Sequence, residues 1–333
     1  MTEAATDTPS VWAISDGAAG NERQVLALAQ AMGLQADVRR IALHAPWRWF
    51  APRLSARAES AFEPAVAPPW PDIAIGCGRQ AALLTRMLRQ WSGARTFTVQ
   101  ILDPRIDAGC FDAVIAPRHD AVNAPNAVQT LGALNPVDAA WLAAARVEFS
   151  TLQQLPEPRT ALLVGGPRRG LGQNERWLER FVADLQNLLE RHGGSLMISL
   201  SRRTPPAWRE RLRGAFRSGC VHFWGGPTDG PNPYAGYLAW AERIVVTPDS
   251  VNMLSEACAT GVPVLSSLPP GASGRLAVFH AILRGEERLH DLRDAAISTL
   301  PHVAPLRETA VVAAEMWRRY RDRLAAPVSS PPV

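Results

Sequence analysis

The stretch Ile244-Val-Val-Thr-Pro-Asp-Ser-Val-Asn-Met-Leu-Ser-Glu-Ala-Cys-Ala-Thr-Gly-Val-Pro-Val-Leu-Ser266 decides the fold class. Ile244, Val245 and Val246 form a short β-branched run, the mark of a buried strand. Pro248 cannot extend a ladder, and Asp249 or Ser250 can cap a following helix. Gly261 stands where a helix ends on glycine, and Pro263 prevents continuation. Val264-Leu265 opens the next strand. Strand, helix and strand in so short a span make a βαβ unit, which requires a parallel sheet and a right-handed crossover.

On that helix Asp249, Met253, Glu256 and Thr260 share one stripe. Its two carboxylates are ~10 Å apart along the axis, at ~1.5 Å per residue. Leu254, Ala257 and Cys258 fall on the side that packs on the sheet. A helix N-terminus at the carboxyl end of a parallel strand gathers free N–H groups and favours an anion. A carboxylate two turns along can accept hydrogen bonds from sugar hydroxyls. The pattern suits a nucleoside diphosphate, with pyrophosphate near Ser250 and ribose near Glu256. A capped helix with a merely solvated Glu256 would show the same spacing.

At 333 residues the chain is long for one core, so two domains are expected. Hydrophobic residues make up 47% and charged residues 20%, an ordinary globular balance. The net charge is +4, and all 35 basic residues are arginine. Without lysine there is no Walker-type phosphate lysine and no Schiff base. Arginine forks suit phosphate and anionic sugars. No basic run interleaved with aromatics suggests a base-reading surface, so no nucleic-acid partner is expected. Cys77, Cys110, Cys220 and Cys258 are scattered, which points to a reduced, cytoplasmic setting. The first ten residues do not read as a signal peptide, and no apolar run reaches the ~20 residues of a membrane span.

The N-terminal half reads as strands and helices in alternation. Val11–Ile14 is a strand, Asp16–Asn21 a glycine turn, and 22–32 a helix. This is the architecture of a ligand-facing first turn, although it lacks G-x-G-x-x-G. Residues 37–43 read as a second strand, 44–70 as irregular or amphipathic. Strands at 72–78, 96–102 and 111–116 follow, with a helix over 79–91. Polar residues sit at strand ends, where open α/β sheets bind ligands: Asp103 and Arg105, then His119 and Asp120. Each is also ordinary turn material. Residues 150–160 read as a linker. A second series has strands at 161–164, 195–200 and 221–224, helices over 174–192 and from Pro206, then the quoted unit and a helix over 306–324. Gly165-Gly166, then Ser201-Arg202-Arg203-Thr204, and the helix start at Ser250 end neighbouring strands, so the three turns can converge on one pyrophosphate. With no D-x-D, no H-E-x-x-H and no clustered Cys and His, no metal is expected.

The segment "SEACATGVPVL" resembles the donor-binding segment of GT-B glycosyltransferases, including the peptidoglycan N-acetylglucosaminyltransferase. More broadly, the chain resembles the bacterial branch of the "elongated mitochondria" fission-factor family. The matching segments are "SDGAAGNERQ" (15–24), "QILDPRIDAGCFDAVIAPRHD" (100–120), "GALNPV" (132–137), "LLVGGPRRG" (162–170), "SLSRRTP" (199–205), "NPY" (232–234) and "VTPDSVNMLSEACATGVPV" (246–264). They run through most of the chain in family order.

The resemblance implies a GT-B-like α/β fold, with two Rossmann-like domains whose parallel sheets face an interdomain cleft, and a nucleotide-sugar donor. The expected layout is an acceptor-side domain over 1–150, a donor domain over 151–305, a helix over 306–325 crossing back to the first domain, and a disordered tail over 326–333. The expected donor-binding residues are Gly165, Gly166, Ser201, Arg202, Arg203, Thr204, Asp249, Ser250 and Glu256. On the acceptor side stand Gly17, Gly20, Asn21 and Arg105. The base for the acceptor hydroxyl is Asp16 in the first turn or His119, with Asp103 a further catalytic candidate.

The expected activity is metal-independent transfer of a sugar from a nucleotide diphosphate, with no cofactor, to a lipid-linked acceptor of glycolipid or lipopolysaccharide type. Two alternatives stay open: an epimerase or hydrolase on the same fold, and a non-catalytic membrane adaptor. The segment His44-Ala-Pro-Trp-Arg-Trp-Phe-Ala-Pro-Arg-Leu54 combines Trp47, Trp49 and Phe50 with two arginines. That composition suits peripheral contact with an anionic membrane, such as the inner face of the bacterial inner membrane. The same aromatics would also serve to cover a sheet.

Overall fold

A computed structural model of the protein describes residues 8–168, 170–217, 220–293 and 303–325. The tail expected to be disordered, 326–333, lies outside the described residues. The chain forms two compact units: 8–130, 134–136 and 308–325 make the first, and 131–133 with 137–307 the second.

In the first unit β1 (Val11–Ser15) leads into α1 (Ala19–Ala31) and β2 (Ala36–Arg40). The strand expected over 37–43 breaks at Ile41. β3 (Ala42–Leu43) leaves the main sheet and pairs antiparallel with β4 (Phe62–Glu63), and the short helix α2 (Trp47–Phe50) lies between them. Next come β5 (Ile73–Cys77), α3 (Arg79–Trp91), β6 (Phe97–Ile101), β7 (Ala113–Pro117) and β8 (Ala127–Thr130). The main sheet is six-stranded, in the order β2-β1-β5-β6-β7-β8, with every pair parallel. Helices cover both faces of such a sheet, so its strands read as unbroken apolar runs. β1, β5, β6 and β7 are buried at every position. Strand order reverses between β1 and β5, and a crevice at such a switch point is where open sheets bind ligands.

In the second unit α4 (Ala139–Glu148) is capped by Asp138, whose side chain accepts from the Trp141 N–H at 2.7 Å. A 3₁₀ turn over Ser150–Gln154 follows, then β9 (Arg159–Val164). The stretch 150–160 is packed where the sequence reads as a linker. Leu152 is buried, and the buried Arg159 side chain is held by Glu157, Glu242 and the carbonyls of Gln153, Leu155 and Trp240. Pairing with carboxylates and carbonyls is what lets a charged side chain lie inside. The unit continues with α5 (Glu175–His192), β10 (Ser195–Leu200), α6 (Pro206–Ala215), β11 (Val221–Trp224) and α7 (Tyr234–Trp240). It ends with β12 (Arg243–Val246), α8 (Val251–Cys258), β13 (Val264–Ser266), α9 (Arg275–Gly285) and β14 (His290–Asp291). Its sheet is also parallel, in the order β11-β10-β9-β12-β13-β14, and reverses between β9 and β12.

The last helix, α10 (Thr309–Ala325), belongs to the first unit. Val312, Ala313, Met316 and Tyr320 join the core around β1, β5 and β6, and the Trp317 indole N–H donates to the Met32 carbonyl at 2.8 Å.

Candidate functional site

The β9–β12 switch point gathers most of the residues expected to bind a donor, and Asp249 is its hub. β9 ends at Val164, so Gly165-Gly166 forms one wall; β12 ends at Val246, so Thr247 to Ser250 forms the other. Asp249 is wholly buried. Its Oδ2 accepts from the Gly166 N–H at 3.0 Å and from the Arg203 guanidinium at 2.7 Å. Its Oδ1 accepts from the Thr247 hydroxyl at 2.7 Å and from the Gln173 amide at 3.5 Å. The turns after β9, β10 and β12 are thus tied to one carboxylate. The two glycines are there for space. A Cβ on Gly165 would strike the Asp249 carboxylate, and one on Gly166 would overlap the Arg203 carbonyl.

This differs from an exposed stripe of Asp249, Met253, Glu256 and Thr260. Ser250, not Asp249, caps α8: its hydroxyl accepts from the Met253 N–H at 3.3 Å. Asp249 precedes the first helical turn, so helical spacing does not govern where it points. Glu256 is buried too, and the Tyr234 hydroxyl donates to its Oε2. The Thr204 hydroxyl is taken up within the fold, donating to the carbonyls of Val164 at 3.1 Å and Gly165 at 2.5 Å. Ser201 accepts from the Arg203 N–H at 3.2 Å and so shapes the turn after β10. Arg202 is exposed. Arg203 leaves 51% of its side chain exposed, so it can serve both Asp249 and an incoming anion.

Residues that the sequence reading did not single out complete the cluster. Arg168 reaches the Asp249 carbonyl at 3.4 Å, and its N–H donates to the Gln173 side chain at 3.2 Å. Thr247 donates to Asp249 and accepts from the Gly165 N–H at 2.8 Å. The "GGPRRGLGQN" run hinted at Arg168 and Gln173, being rich in glycine and arginine directly after a strand. Nothing in the sequence pairs Tyr234 with Glu256.

In the first unit Asp16, Asp103 and His119 follow β1, β6 and β7 at one edge of the sheet. Asp16 is half-buried. Its Oδ1 accepts from the Ala18 N–H at 3.1 Å and from the Asn21 amide at 3.0 Å. Gly17 has φ +76°, a conformation that glycine adopts at no steric cost. Gly20 and Asn21 lie in the first turn of α1. Asp103 accepts from the Arg105 N–H at 2.8 Å, a local turn that leaves Arg105 exposed. His119 sits in a 3₁₀ turn over Arg118–Asp120.

Three histidines of the second unit, His222, His280 and His290, have their pKa lowered from 6.5, in each case chiefly by burial. A histidine that is harder to protonate when folded takes up more protons unfolded, so stability rises with pH across its window. Stability is therefore expected to be full above about pH 6.5 and to fall as the pH drops toward the depressed values. Urea midpoints at pH 7.5 and 5.5 check this: equal midpoints would contradict it, and His280→Gln should narrow the gap.

Comparison with known proteins places this architecture. Among solved structures, an S. aureus MnaA–UDP co-structure matches with a TM-score of 0.51 and 11% identity, over 93% of this chain and 89% of that one. A UDP-GlcNAc 2-epimerase from Methanocaldococcus jannaschii matches with a TM-score of 0.50 and 12% identity, over 92% and 91%. At such identities the likeness is one of fold, a GT-B-like pair of Rossmann-like units. In sequence, the mitochondrial fission protein ELM1 of Arabidopsis thaliana is 33% identical over 239 residues, 64% of this chain and 55% of that protein. An uncharacterized protein of Rickettsia prowazekii is 28% identical over 236 residues, 60% of this chain and 65% of that protein. These matches thus span about half to two thirds of the relatives' length. The family model "Mitochondrial fission ELM1" matches residues 19–320, so the chain belongs to the mitochondrial fission ELM1 family.

Proposed function

We propose that the second unit binds the diphosphate of a nucleotide sugar at the β9–β12 switch point, and that the protein transfers the sugar to a glycolipid-type acceptor of the cell envelope. The observation that carries this reading is the Asp249 hub. It holds a glycine turn, an arginine and a helix start together at the carboxyl ends of three adjacent strands. A departing diphosphate needs fixed donors and cations. Arg168, Arg202, Arg203 and the N–H groups at the start of α8 are of that kind, and the reading needs no metal. We read Glu256, which the Tyr234 hydroxyl contacts, as the acceptor for ribose hydroxyls once the nucleotide is seated.

The test is thermal shift against UDP, ADP, GDP and their sugars. A ligand at a hundredfold excess over Kd stabilises by ~2.7 kcal/mol. A flat response to all of them removes the reading and favours a non-catalytic adaptor. Binding followed by UDP release without an acceptor, or by conversion of the sugar, points to a hydrolase or epimerase instead.

In transfer, the bond from the sugar's anomeric carbon to the diphosphate breaks, the acceptor oxygen bonds to that carbon, and its proton must go to a base. Asp16 is our proposed base: Oδ1 is engaged by Ala18 and Asn21, which leaves the proton to Oδ2 of the same half-buried carboxylate. Asp16→Asn keeps the acceptor atom that shapes the turn. It is expected to abolish transfer and leave nucleotide affinity near wild type. Full transfer by this variant would move the role to His119 or Asp103.

Membrane contact is proposed at α2. Trp49 and Phe50 are 61% and 59% exposed, next to the exposed Arg48 and Arg53. Trp47 instead packs against the core, its indole N–H donating to the Ala56 carbonyl at 3.0 Å. The expected result for Trp49→Ser with Phe50→Ser is an unchanged melting temperature and weaker sedimentation with anionic vesicles. Wild-type protein that ignores such vesicles at low salt ends this proposal.

A further inference from the structure

We propose that His280 is a positioning residue for the nucleotide-binding turn, its neutral imidazole holding the Pro248 carbonyl and thereby the crest on which Asp249 and Ser250 stand. The inference rests on reading that turn as the diphosphate site. His280 lies on α9 and is wholly buried, with Nε2 2.9 Å from the Pro248 carbonyl oxygen. A carbonyl only accepts, so Nε2 carries the hydrogen and Nδ1 keeps a lone pair. Nδ1 is buried and has no hydrogen-bond partner among the described residues.

The residues flanking Pro248 are held from β9, from α8 and through the contacts of Asp249. The Thr247 N–H donates to the Leu163 carbonyl, and the Ser250 carbonyl accepts from the Leu254 N–H. Pro248 has no N–H to give, and its carbonyl is held from α9, across the unit's core. Of the charged groups acting on the ring, Arg284 disfavours protonation and Asp249 favours it, and burial outweighs both. A proton on Nδ1 would meet no acceptor there. The ring therefore stays a neutral donor from Nε2, and the turn keeps one geometry at neutral pH.

The test uses the full chain with UDP as probe. Histidine ¹⁵N spectra of wild type report the tautomer. Hydrogen exchange of the peptide spanning 247–254 reports the turn without ligand, and UDP titration at pH 7.5 reports the site. His280→Gln retains a donor near the Nε2 position, whereas His280→Met keeps the bulk and loses the bond. The expectation is an Nε2–H tautomer in wild type, faster exchange and at least tenfold weaker UDP binding in His280→Met, and both properties near wild type in His280→Gln.

An Nδ1–H tautomer overturns the proposal. So does His280→Met matching wild type, or His280→Gln as loose as His280→Met. If His280→Met does not fold, the tautomer and the turn exchange of His280→Gln decide alone: Nε2–H with wild-type exchange supports the role, and either failing overturns it. If wild type binds no UDP while the exchange pattern holds, the nucleotide reading fails and the positioning of the turn stands.

Discussion

Asp249→Ala is expected to lower the stability of the second unit by about 3–5 kcal/mol, because several buried donors lose one shared acceptor. Most of the loss comes from the donors left behind. The Gly166 N–H, the Thr247 hydroxyl and the Gln173 amide lose a shared buried acceptor, and an unsatisfied buried donor costs ~1–3 kcal/mol. Arg203 contributes little, because with 51% of its side chain exposed it recovers water. At ~2–4 °C per kcal/mol for a unit of this size, the melting temperature should drop by roughly 10 °C. Nucleotide binding should go with it, since the turns after β9, β10 and β12 lose their common anchor. Calorimetry of the variant checks this. A loss under ~1 kcal/mol would mean that the turns hold themselves.

Glu256→Gln should show the opposite balance, with little change in melting temperature and at least a tenfold loss of nucleotide affinity. The amide oxygen of the variant still accepts from Tyr234, so that buried contact survives. What is lost is the charge on an acceptor for ribose hydroxyls. A hydrogen bond to a charged group contributes ~1.5–3 kcal/mol, and each 1.4 kcal/mol is tenfold in Kd. Glu256→Ala is the poorer test, because it also leaves the buried Tyr234 hydroxyl without its acceptor. Titration of UDP or another nucleotide that binds wild type decides the matter, and an unchanged Kd for Glu256→Gln removes the ribose role.

The periodic parts of the chain were legible. The strand Ile244–Val246, the helix after Ser250 and the strand from Val264 appear as β12, α8 and β13, and the apolar runs at 73–77, 97–101 and 195–200 are strands. Strands buried on both faces must be apolar throughout, so they announce themselves without reference to their neighbours. The α4 and α7 segments were not read. Alanine dominates the first, and the second follows Gly, Pro and Asn turn material, so neither shows a strong helical stripe. The stretch 150–160 read as a linker because its polar and proline-rich composition hides Arg159, whose burial depends in part on groups distant in sequence, Glu242 and the Trp240 carbonyl.

By itself, the sequence determined that this is a parallel α/β protein with glycine turns and arginines at its strand ends, because local spacing and residue type carry that information. Only the tertiary structure decided which way the carboxylates face. Asp249 turns inward to hold three turns, and Glu256 lies beneath Tyr234, 22 positions away in sequence. Helical periodicity can assign a residue to a stripe. Whether that stripe meets water or another helix depends on the order of strands in the sheet, and here β12 lies beside β9 with two strands of sequence, β10 and β11, between them.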